Sequence, residues 1–276
     1  MSALRDTTVA FIGTGTMAEA MIQGILSKEL ITPDRITGSD PRSERGEELN
    51  ARYGIQTTTN NTVAAATGNI VVFSVKPQVL PRVLVELAGH VRPDALILSI
   101  VAGAKIATIS NKLNHRNIVR VMPNTPAQIG QGMSVWTATP ETSEVQRKQA
   151  QAILEALGEE IFVGDEDYLD MATALSGTGP AYVFLFMEAL IDAGVHLGFS
   201  RRIAQKLVLK TVEGSVSFAR ESKLHPAQLR DMVTSPGGTS AEAIYQLEKG
   251  GLRTVLSRAV WAAYQKSKYL GGLSKE

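Results

Sequence analysis

The first half of the chain alternates short apolar runs with segments of helical periodicity. Strands are predicted at residues 9–12, 70–75, 95–100, 118–122 and 133–137, with a weaker one at 35–38 and a short one at 161–163. Helices are predicted at 17–26 and 141–157. Because the main runs are apolar without alternation, they indicate strands covered on both faces. Their alternation with helices is typical of right-handed βαβ units in a parallel sheet.

Beyond about residue 164 the strand-like runs stop, and apolar residues recur every three or four positions. This spacing predicts helices at 167–175, 180–197, 200–221, 226–233, 240–249 and 252–270. Pro180 and Pro226 stand where helices are expected to begin, and Gly198 follows a helix end. The pattern therefore predicts an α/β domain over residues 1–164, followed by an all-α domain over residues 165–276.

Composition excludes several classes of protein. The 276 residues carry 28 Lys and Arg against 27 Asp and Glu, so no strongly basic face for nucleic acid is expected. The chain has no cysteine, which excludes disulfides, thiol nucleophiles and thiolate metal sites. Its four histidines lie far apart, and no metal site is predicted.

No membrane span is predicted either, since Glu188 and Asp192 soon interrupt the apolar run 181–187. The first residues also lack the basic-then-apolar order of a signal peptide. We therefore expect a cytoplasmic protein without a membrane or nucleic-acid partner.

The clearest motif is a glycine-rich turn, G-x-G-x-x-A, between the first predicted strand and the first predicted helix. Gly13 permits the tight turn, Gly15 lets a pyrophosphate approach the backbone, and Ala18 lets the helix pack close to the strand. The helix N-terminus then faces the phosphates. This strand, turn and helix predict a dinucleotide-binding domain of Rossmann type.

The end of the second strand gives conflicting signals about the nucleotide. Asp40 favours NAD, because an acidic residue at this place accepts a hydrogen bond from the ribose 2′-OH. Ser39, Arg42 and Arg45 instead suit the 2′-phosphate of NADP. An alternative role for Asp40 is to cap a helix that begins at Pro41.

Two further loops follow predicted strands, at the edge where open α/β sheets bind ligands. Residues 75–78 and 122–126 both contain proline, and we expect them either to wall a nicotinamide pocket or to serve as turns only. Lys76 is accordingly either a cofactor contact or a solvated loop residue.

Two glycine-bearing segments interrupt the helical half. Residues 175–182 break a long apolar pattern, which indicates a turn, a close backbone approach or a purely structural break. In residues 234–242, Gly237 and Gly238 can direct their amides at one point before a helix, as in an anion cradle, or simply begin that helix. Thr239 and Glu242 fit a capping box, which leaves Ser240 as the freer hydroxyl.

Taken in order, the fingerprint, VKPQ, MPNTPA, LSGTGPAYVF and VTSPGGTS closely resemble the pyrroline-5-carboxylate reductase family over residues 8–270. The pairing of ALSGTGPAY with SPGGTS is the specific part of the resemblance. It implies reduction of Δ1-pyrroline-5-carboxylate to L-proline, the last step of proline biosynthesis, with NADP as cofactor and NAD as the alternative. It also implies helical domains that interlock into homodimers, which in this family often assemble into decamers.

Carried over by position, the resemblance also implies the site residues. The cofactor would be held by Ile12, Gly13, Thr14, Gly15, Thr16 and Met17 at the pyrophosphate, by Ser39 and Asp40 at the ribose, and by Asn61, Ser74, Val75, Lys76 and Pro77 along its length. The substrate would be held by Ser235, Gly237, Gly238, Thr239 and Ser240, with Ser240 and Thr239 as the catalytic hydroxyls.

Three of these positions depart from the family pattern. Thr16 stands where Asn or Gln is common, and Ser240 replaces a usual Thr but keeps the hydroxyl. Asp40 replaces a frequent Ser and weakens the expectation of NADP.

Two other classes share features of the sequence. Dehydrogenases of the β-hydroxyacid or imine-reductase type have a similar two-domain plan, but residues 180–197 lack the lysine that some of them use as proton donor. A nucleotide-binding redox sensor is the second alternative, and such a protein does not need the SPGGTS segment.

Overall fold

The apolar runs of the first half form one eight-stranded sheet. The computed structural model describes residues 3–273. The strands are β1 Val9–Ile12, β2 Ile36–Ser39, β3 Gln56–Thr58, β4 Ile70–Phe73, β5 Leu96–Ser99, β6 Ile118–Met122, β7 Gly132–Ala138 and β8 Gly158–Phe162. Their order across the sheet is β3-β2-β1-β4-β5-β6-β7-β8. The polar edge strand β3 had no apolar run, and the sequence pattern therefore did not predict it.

The sheet is parallel, as expected, except at one edge. The pairs from β3 to β6 are parallel, but β7 pairs with β6 antiparallel, and β8 is parallel to β7. The connection between β6 and β7 holds only a short 3-10 helix, Thr125–Ile129. A parallel return needs a crossover of a dozen or more residues, which this connection cannot supply.

Helices cover both faces of the sheet, as the continuous apolar runs predict. Those of the first half are α1 Thr16–Ser27, α2 Ser43–Tyr53, α3 Asn61–Thr67, α4 Leu80–Leu87, α5 Ile106–Leu113 and α6 Glu144–Glu155. Successive residues of β1 point to opposite faces, so that Phe11 packs in one buried cluster with α1 and α6, and Ile12 in another with α3, α4 and α5. The Rossmann-type arrangement is thereby confirmed.

The second half is helical throughout the described residues, as predicted. Its helices are α7 Asp167–Ala172, α8 Gly179–His196, α9 Arg201–Ser222, α10 Pro226–Met232, α11 Thr239–Lys249 and α12 Leu252–Leu273. A π-helical segment, Thr173–Gly177, lies between α7 and α8. The expected interruption at residues 175–182 is thus a local widening of the helix rather than a turn.

The chain forms two compact units. One, called the sheet unit below, consists of Met1–Gly179 with Ala262–Glu276, and the other, the helical unit, of Pro180–Trp261. The sheet unit extends past residue 164 because buried ion pairs link the strands to later helices. Arg120 on β6 pairs with Asp170 of α7 at 3.2 Å, and Ser267 of α12 donates to the same carboxylate at 2.8 Å. The functional boundary expected at residue 164 stays a prediction.

One helix, which runs from Asp167 to His196, is long and apolar enough by length and composition alone to cross a bilayer, and only 6% of its most apolar window is buried. The expectation that no segment spans a membrane stays a prediction.

Candidate functional site

The glycine loop after β1 is tightly fitted on one side and open on the other. Gly13 has a φ of +89°, and a Cβ there would lie 2.8 Å from Cγ1 of Val75, so only glycine fits. Gly15 is different, since a Cβ built on it meets no atom of the described residues within 4 Å. The space in front of Gly15 is therefore available to a ligand.

This space lies at the N-terminus of α1. The first backbone hydrogen bond of the helix runs from Glu19 N–H to the carbonyl of Gly15, at 3.0 Å. The N–H groups of the three preceding residues have no helical acceptor, and together with the helix dipole they favour an anion. Ser74 supports the loop from β4, where its hydroxyl donates to the Gly13 carbonyl at 2.6 Å. The loop thus fits the pyrophosphate of a dinucleotide.

Asp40, at the end of β2, uses its carboxylate within the protein. The hydroxyl of Thr14 donates to it at 3.0 Å, and Arg42 donates from Nε at 2.9 Å and from its backbone N–H at 3.2 Å. Burial alone would raise the pKa of Asp40, but these hydrogen bonds outweigh it and hold that pKa below its ordinary value. The carboxylate is thereby tied to the glycine loop and neutralised by Arg42.

The alternative role of Asp40 as a helix cap is wrong. Helix α2 begins at Ser43, and Arg42 occupies the N-cap position without a side-chain cap. The carboxylate accepts instead from the Thr14 hydroxyl and from the N–H of Arg42, one position before the helix. Arg42 itself remains 65% exposed in its side chain, beside the position expected for the ribose.

Arg45 and Asn61 are both held by neighbouring side chains. Arg45 pairs with Glu19, and its Nε donates to the Thr14 carbonyl at 3.0 Å. Ser39 donates from its hydroxyl to Oδ1 of Asn61 at 2.8 Å, and Asn61 donates in turn to Glu86 at 3.0 Å. Of the two arginines that sequence analysis proposed for a 2′-phosphate, only Arg42 keeps an exposed guanidinium.

The two proline loops meet at one cavity of about 300 Å³ at the carboxyl ends of the parallel strands. That volume is at the lower end for small-molecule sites. Its lining consists of Met17, Ser74, Val75, Lys76, Pro77, Ile100, Val101, Ala102, Met122, Pro123, Asn124, Thr125 and Gly177. The sequence did not single out residues 100–102, because they follow a predicted strand without a charge or a glycine turn. Lys76 is exposed, and its ammonium group makes no hydrogen bond or ion pair with the described residues.

The π segment contributes to the same cavity wall. A Cβ on Gly177 would lie 2.5 Å from Cε of Met122, so a larger residue would push Met122 out of place. Asn124 donates from Nδ2 to the hydroxyl oxygen of Ser176 at 3.3 Å. The close backbone approach expected for residues 175–182 is therefore confirmed at Gly177.

The SPGGTS segment lies in the helical unit and is largely exposed. Gly237 has a φ of +68°, and a Cβ on Gly238 would lie 2.6 Å from the Ser235 hydroxyl oxygen. Helix α11 starts directly afterwards, and its first backbone hydrogen bond runs from Glu242 N–H to the Gly238 carbonyl at 3.3 Å. The N–H groups of Thr239, Ser240 and Ala241 thus lie in the first turn without a helical acceptor, an arrangement that favours an anion.

The predicted capping box at Thr239 is wrong. Gly238 is the N-cap, no side chain caps the helix, and Thr239 is already the first helical residue. Glu242 instead accepts from Gln246 at 2.9 Å. Within the part of the chain that the structure describes, the hydroxyls of Thr239 and Ser240 make no hydrogen bond, and both stay available to a ligand.

The structure thus gathers the predicted cofactor residues in the sheet unit and the predicted substrate residues in the helical unit. No group of three or more metal-ligating side chains occurs among residues 3–273. That these residues bind a nucleotide and a substrate stays a prediction.

Comparison with known proteins identifies the family. The family model described as pyrroline-5-carboxylate reductase dimerisation matches residues 166–270, which form an oligomerisation region, and one described as NADP oxidoreductase, coenzyme F420-dependent, matches residues 8–103. The pyrroline-5-carboxylate reductase of Synechocystis is 41% identical over 95% of this chain and 98% of its own length. That of Pseudomonas aeruginosa is 40% identical over 95% and 96%.

A solved structure agrees with these sequence matches. Pyrroline carboxylate reductase of Plasmodium falciparum with NADP bound has a TM-score of 0.89 and 33% identity, and the match covers 97% of this chain and 99% of that one. The chain spans almost the whole length of these relatives and belongs to the pyrroline-5-carboxylate reductase family.

Proposed function

We propose that this protein reduces Δ1-pyrroline-5-carboxylate to L-proline with NADPH. The observation that carries the proposal is the presence, in a chain of this family, of two separate open sites of matching chemistry. The sheet unit has a glycine loop and a cavity for a dinucleotide, and the helical unit has a glycine turn with two unengaged hydroxyls.

The reduced nicotinamide supplies a hydride from its C4 atom to C5 of the cyclic imine. A proton on the ring nitrogen makes that carbon more electrophilic and completes the amine product. The residues of this chain serve mainly to position the reactants. The backbone N–H groups at the start of α11 hold the substrate carboxylate, while Ser240, with Thr239, hydrogen-bonds the ring nitrogen. A hydroxyl is too weak an acid to protonate the imine, so the substrate enters as the iminium or takes its proton from water.

The test is the rate of NADPH oxidation with pyrroline-5-carboxylate, with proline identified as the product. We expect turnover that depends on both substrates. Binding of nucleotide without turnover would instead support the redox sensor. Turnover of β-hydroxyacids, with none of the cyclic imine, would support the related dehydrogenases.

Asp40 and Arg42 favour NADPH over NADH. NAD recognition needs a free carboxylate that accepts from the ribose 2′-OH, but both oxygens of Asp40 already accept hydrogen bonds from Thr14 and Arg42. Arg42 neutralises that charge and still exposes a guanidinium, which suits a 2′-phosphate.

Initial rates with the two nucleotides at matched concentrations test this preference. We expect Arg42→Ala to lower kcat/KM for NADPH about 10-fold or more, and to leave kcat/KM for NADH within about twofold. Arg92→Ala is the matched control. Like Arg42, Arg92 pairs with an aspartate two positions away along the chain, Asp94, at 2.9 Å, but it is not among the residues proposed to contact the nucleotide. Equal losses for both nucleotides would contradict the assignment.

We further propose a cytoplasmic homodimer joined through the helical region, without membrane or nucleic-acid partners. The apolar face of α8 supports this, because Phe184 is 61% and Leu185 66% exposed in the single chain, and the matching family model is one of dimerisation. Light scattering after gel filtration should give twice the chain mass. A decamer would require a further contact between dimers, and a monomer would contradict the proposal.

A further inference from the structure

Ser176 adjoins the sheet-unit cavity through two of its lining residues, because it precedes Gly177 in the chain and is hydrogen-bonded to Asn124. It belongs to the π segment that ends at Gly177, a lining residue of the cavity. Single π turns within α-helices occur frequently at functional sites, because they shift side chains out of regular helical register.

The hydrogen bond from Asn124 determines whether the Ser176 hydroxyl acts as a donor or as an acceptor in this pair. The side chain of Asn124 is held at both ends, since its Oδ1 accepts from the Met133 N–H at 2.9 Å and its Nδ2 donates to Ser176 at 3.3 Å. An amide nitrogen only donates, so the serine oxygen must be the acceptor here. The serine proton is therefore left to another acceptor.

Within the described residues the Ser176 hydroxyl has no such acceptor. Its neighbours in the same segment differ, because Thr173 donates to the Leu169 carbonyl at 2.7 Å and Thr178 to the Thr173 carbonyl at 2.8 Å. Ser176 is half-buried. A hydroxyl whose oxygen is engaged and whose proton is free is a preorganised donor to a ligand.

Most of the cavity lining around this donor is apolar, which suits a flat ring with one polar substituent. The apolar part includes Met17, Val101 and Met122. The Ser74 hydroxyl is already used on the Gly13 carbonyl, and Asn124 is engaged at both ends. Among the described residues that line this cavity, only Thr125 has an unengaged neutral side-chain donor. Ser176, bonded to the lining residue Asn124, is the other such donor beside it.

We propose that Ser176 donates a hydrogen bond to the carboxamide oxygen of the nicotinamide, with Asn124 as the residue that positions it. The inference rests on the proposed function in one respect, namely that this cavity holds the nicotinamide. This contact would fix the rotation of the carboxamide and, with it, the face of the ring that is presented for hydride transfer.

The test compares the natural nucleotide with one altered at a single atom. Thionicotinamide adenine dinucleotide phosphate carries sulfur in place of the carboxamide oxygen, and sulfur is the weaker acceptor. We expect Ser176→Ala to raise the calorimetric Kd of NADP about 5- to 10-fold, and that of the thio analogue less than about twofold. A merely structural role for Ser176 would change both affinities equally.

Two variants serve as comparisons. Thr178→Val removes a hydroxyl that is satisfied within the helix, and it should leave the ratio of the two affinities unchanged. Thr125→Val tests the rival donor. The proposal would be overturned if Thr125→Val, but not Ser176→Ala, weakened NADP binding more than binding of the thio analogue. It would also be overturned if Ser176→Ala weakened the binding of both nucleotides equally.

These binding measurements do not depend on turnover. If the protein bound NADP but failed to reduce pyrroline-5-carboxylate, the proposed function would fail while the Ser176 contact could still be measured. If the reaction proceeded and Ser176→Ala affected only the KM for pyrroline-5-carboxylate, the hydroxyl would be assigned to the substrate and this inference would be wrong.

Discussion

The two glycine-bearing turns of the molecule differ in how much of each site is already built. The loop at Gly13 is held by neighbours on three sides, with hydrogen bonds that involve Ser39, Ser74 and, through Thr14, Asp40. The turn at Gly237 opens to solvent, and the hydroxyls that follow it make no hydrogen bonds within the described residues. The contrast teaches that the proposed nucleotide site is preformed within one chain, whereas the proposed substrate site leaves its hydroxyls open to a ligand or a partner.

The apolar surface follows the same division. In the sheet unit the central strands β1, β4 and β5 are fully buried, while in the helical unit large side chains such as Phe184 and Leu185 remain exposed. An exposed apolar face of this extent is typical of an interface. The sheet unit therefore carries its own core, and the helical unit depends more on assembly.

The strongest test of the preformed half is Gly15→Val. We expect it to weaken NADP binding by about 100-fold or more, because the side chain fills the space that the pyrophosphate needs. The fold should be unaffected, since a Cβ at Gly15 meets no atom of the described residues within 4 Å. Calorimetry gives the affinity and thermal unfolding gives the stability.

Gly164→Val is the matched control for Gly15→Val. A Cβ at Gly164 also meets open space, and this glycine too lacks a positive φ, but it follows β8, away from the loop. It should leave NADP binding unchanged. If Gly15→Val bound NADP with normal affinity, the assignment of this loop to the pyrophosphate would be wrong.

In the helical unit, the largest effect is expected from a substitution that prevents dimerisation. We expect Phe184→Glu to convert the dimer into monomer at micromolar concentration and to lower kcat, because it places a charge in the apolar face that the second copy covers. Val85→Glu is the control, since Val85 is 68% exposed but lies in the sheet unit. Gel filtration with light scattering distinguishes monomer from dimer. If Phe184→Glu remained a dimer, the interface would not include Phe184.

A smaller effect is expected at the substrate hydroxyl. Ser240→Ala should lower kcat/KM for pyrroline-5-carboxylate by roughly 5- to 30-fold, which corresponds to about 1 to 2 kcal/mol, with an unchanged Kd for NADP. Thr234→Val is the comparison, because the Thr234 hydroxyl donates to the Arg230 carbonyl at 2.6 Å and so supports the helix end only. Unchanged kinetics in Ser240→Ala would remove Ser240 from the mechanism.

Most elements could be predicted from the sequence, because apolar periodicity and glycine or proline boundaries are local signals. The strand at β6 and the helices from α8 to α12 lie within a few residues of their predicted bounds. The polar edge strand β3 and the reversed direction of β7 could not be predicted, since pairing and direction depend on tertiary contacts rather than on periodicity.

The site shows the same limit. The glycine loop and both proline loops carry local signatures, and their shared cavity follows from the edge of the sheet at which they lie. The cap roles considered for Asp40 and Thr239 are wrong, because capping patterns specify a candidate partner but not its competitor. Asp40 bonds Thr14, far from it along the chain, and Gly238 takes the cap position expected for Thr239.

The smallest expected effect concerns the charge of the Asp40 carboxylate, which is hydrogen-bonded to the glycine loop through Thr14. The folded-state pKa of Asp40 lies below its ordinary value because hydrogen bonds from Arg42 and Thr14 outweigh burial. The carboxylate therefore contributes its full stabilisation above the unfolded-state pKa of about 3.9. As the pH falls below that value, the unfolded chain takes up the proton first, and the contribution is lost on the way to the lower folded-state pKa.

Asp40→Asn should consequently lower Tm at pH 7, by about 2–4 °C for each kcal/mol lost, and the difference from the wild type should shrink progressively as the pH falls below about 4 towards the lower folded-state pKa. Asp94→Asn is the matched surface case, because Asp94 pairs with Arg92 at 2.9 Å but is well exposed, and exposed pairs contribute little. Thermal unfolding from pH 3 to 7 measures both. A Tm difference for Asp40→Asn that stayed constant down to pH 3 would show that the effect is steric rather than electrostatic, and that the charge on Asp40 is not what holds the nucleotide half in its preformed state.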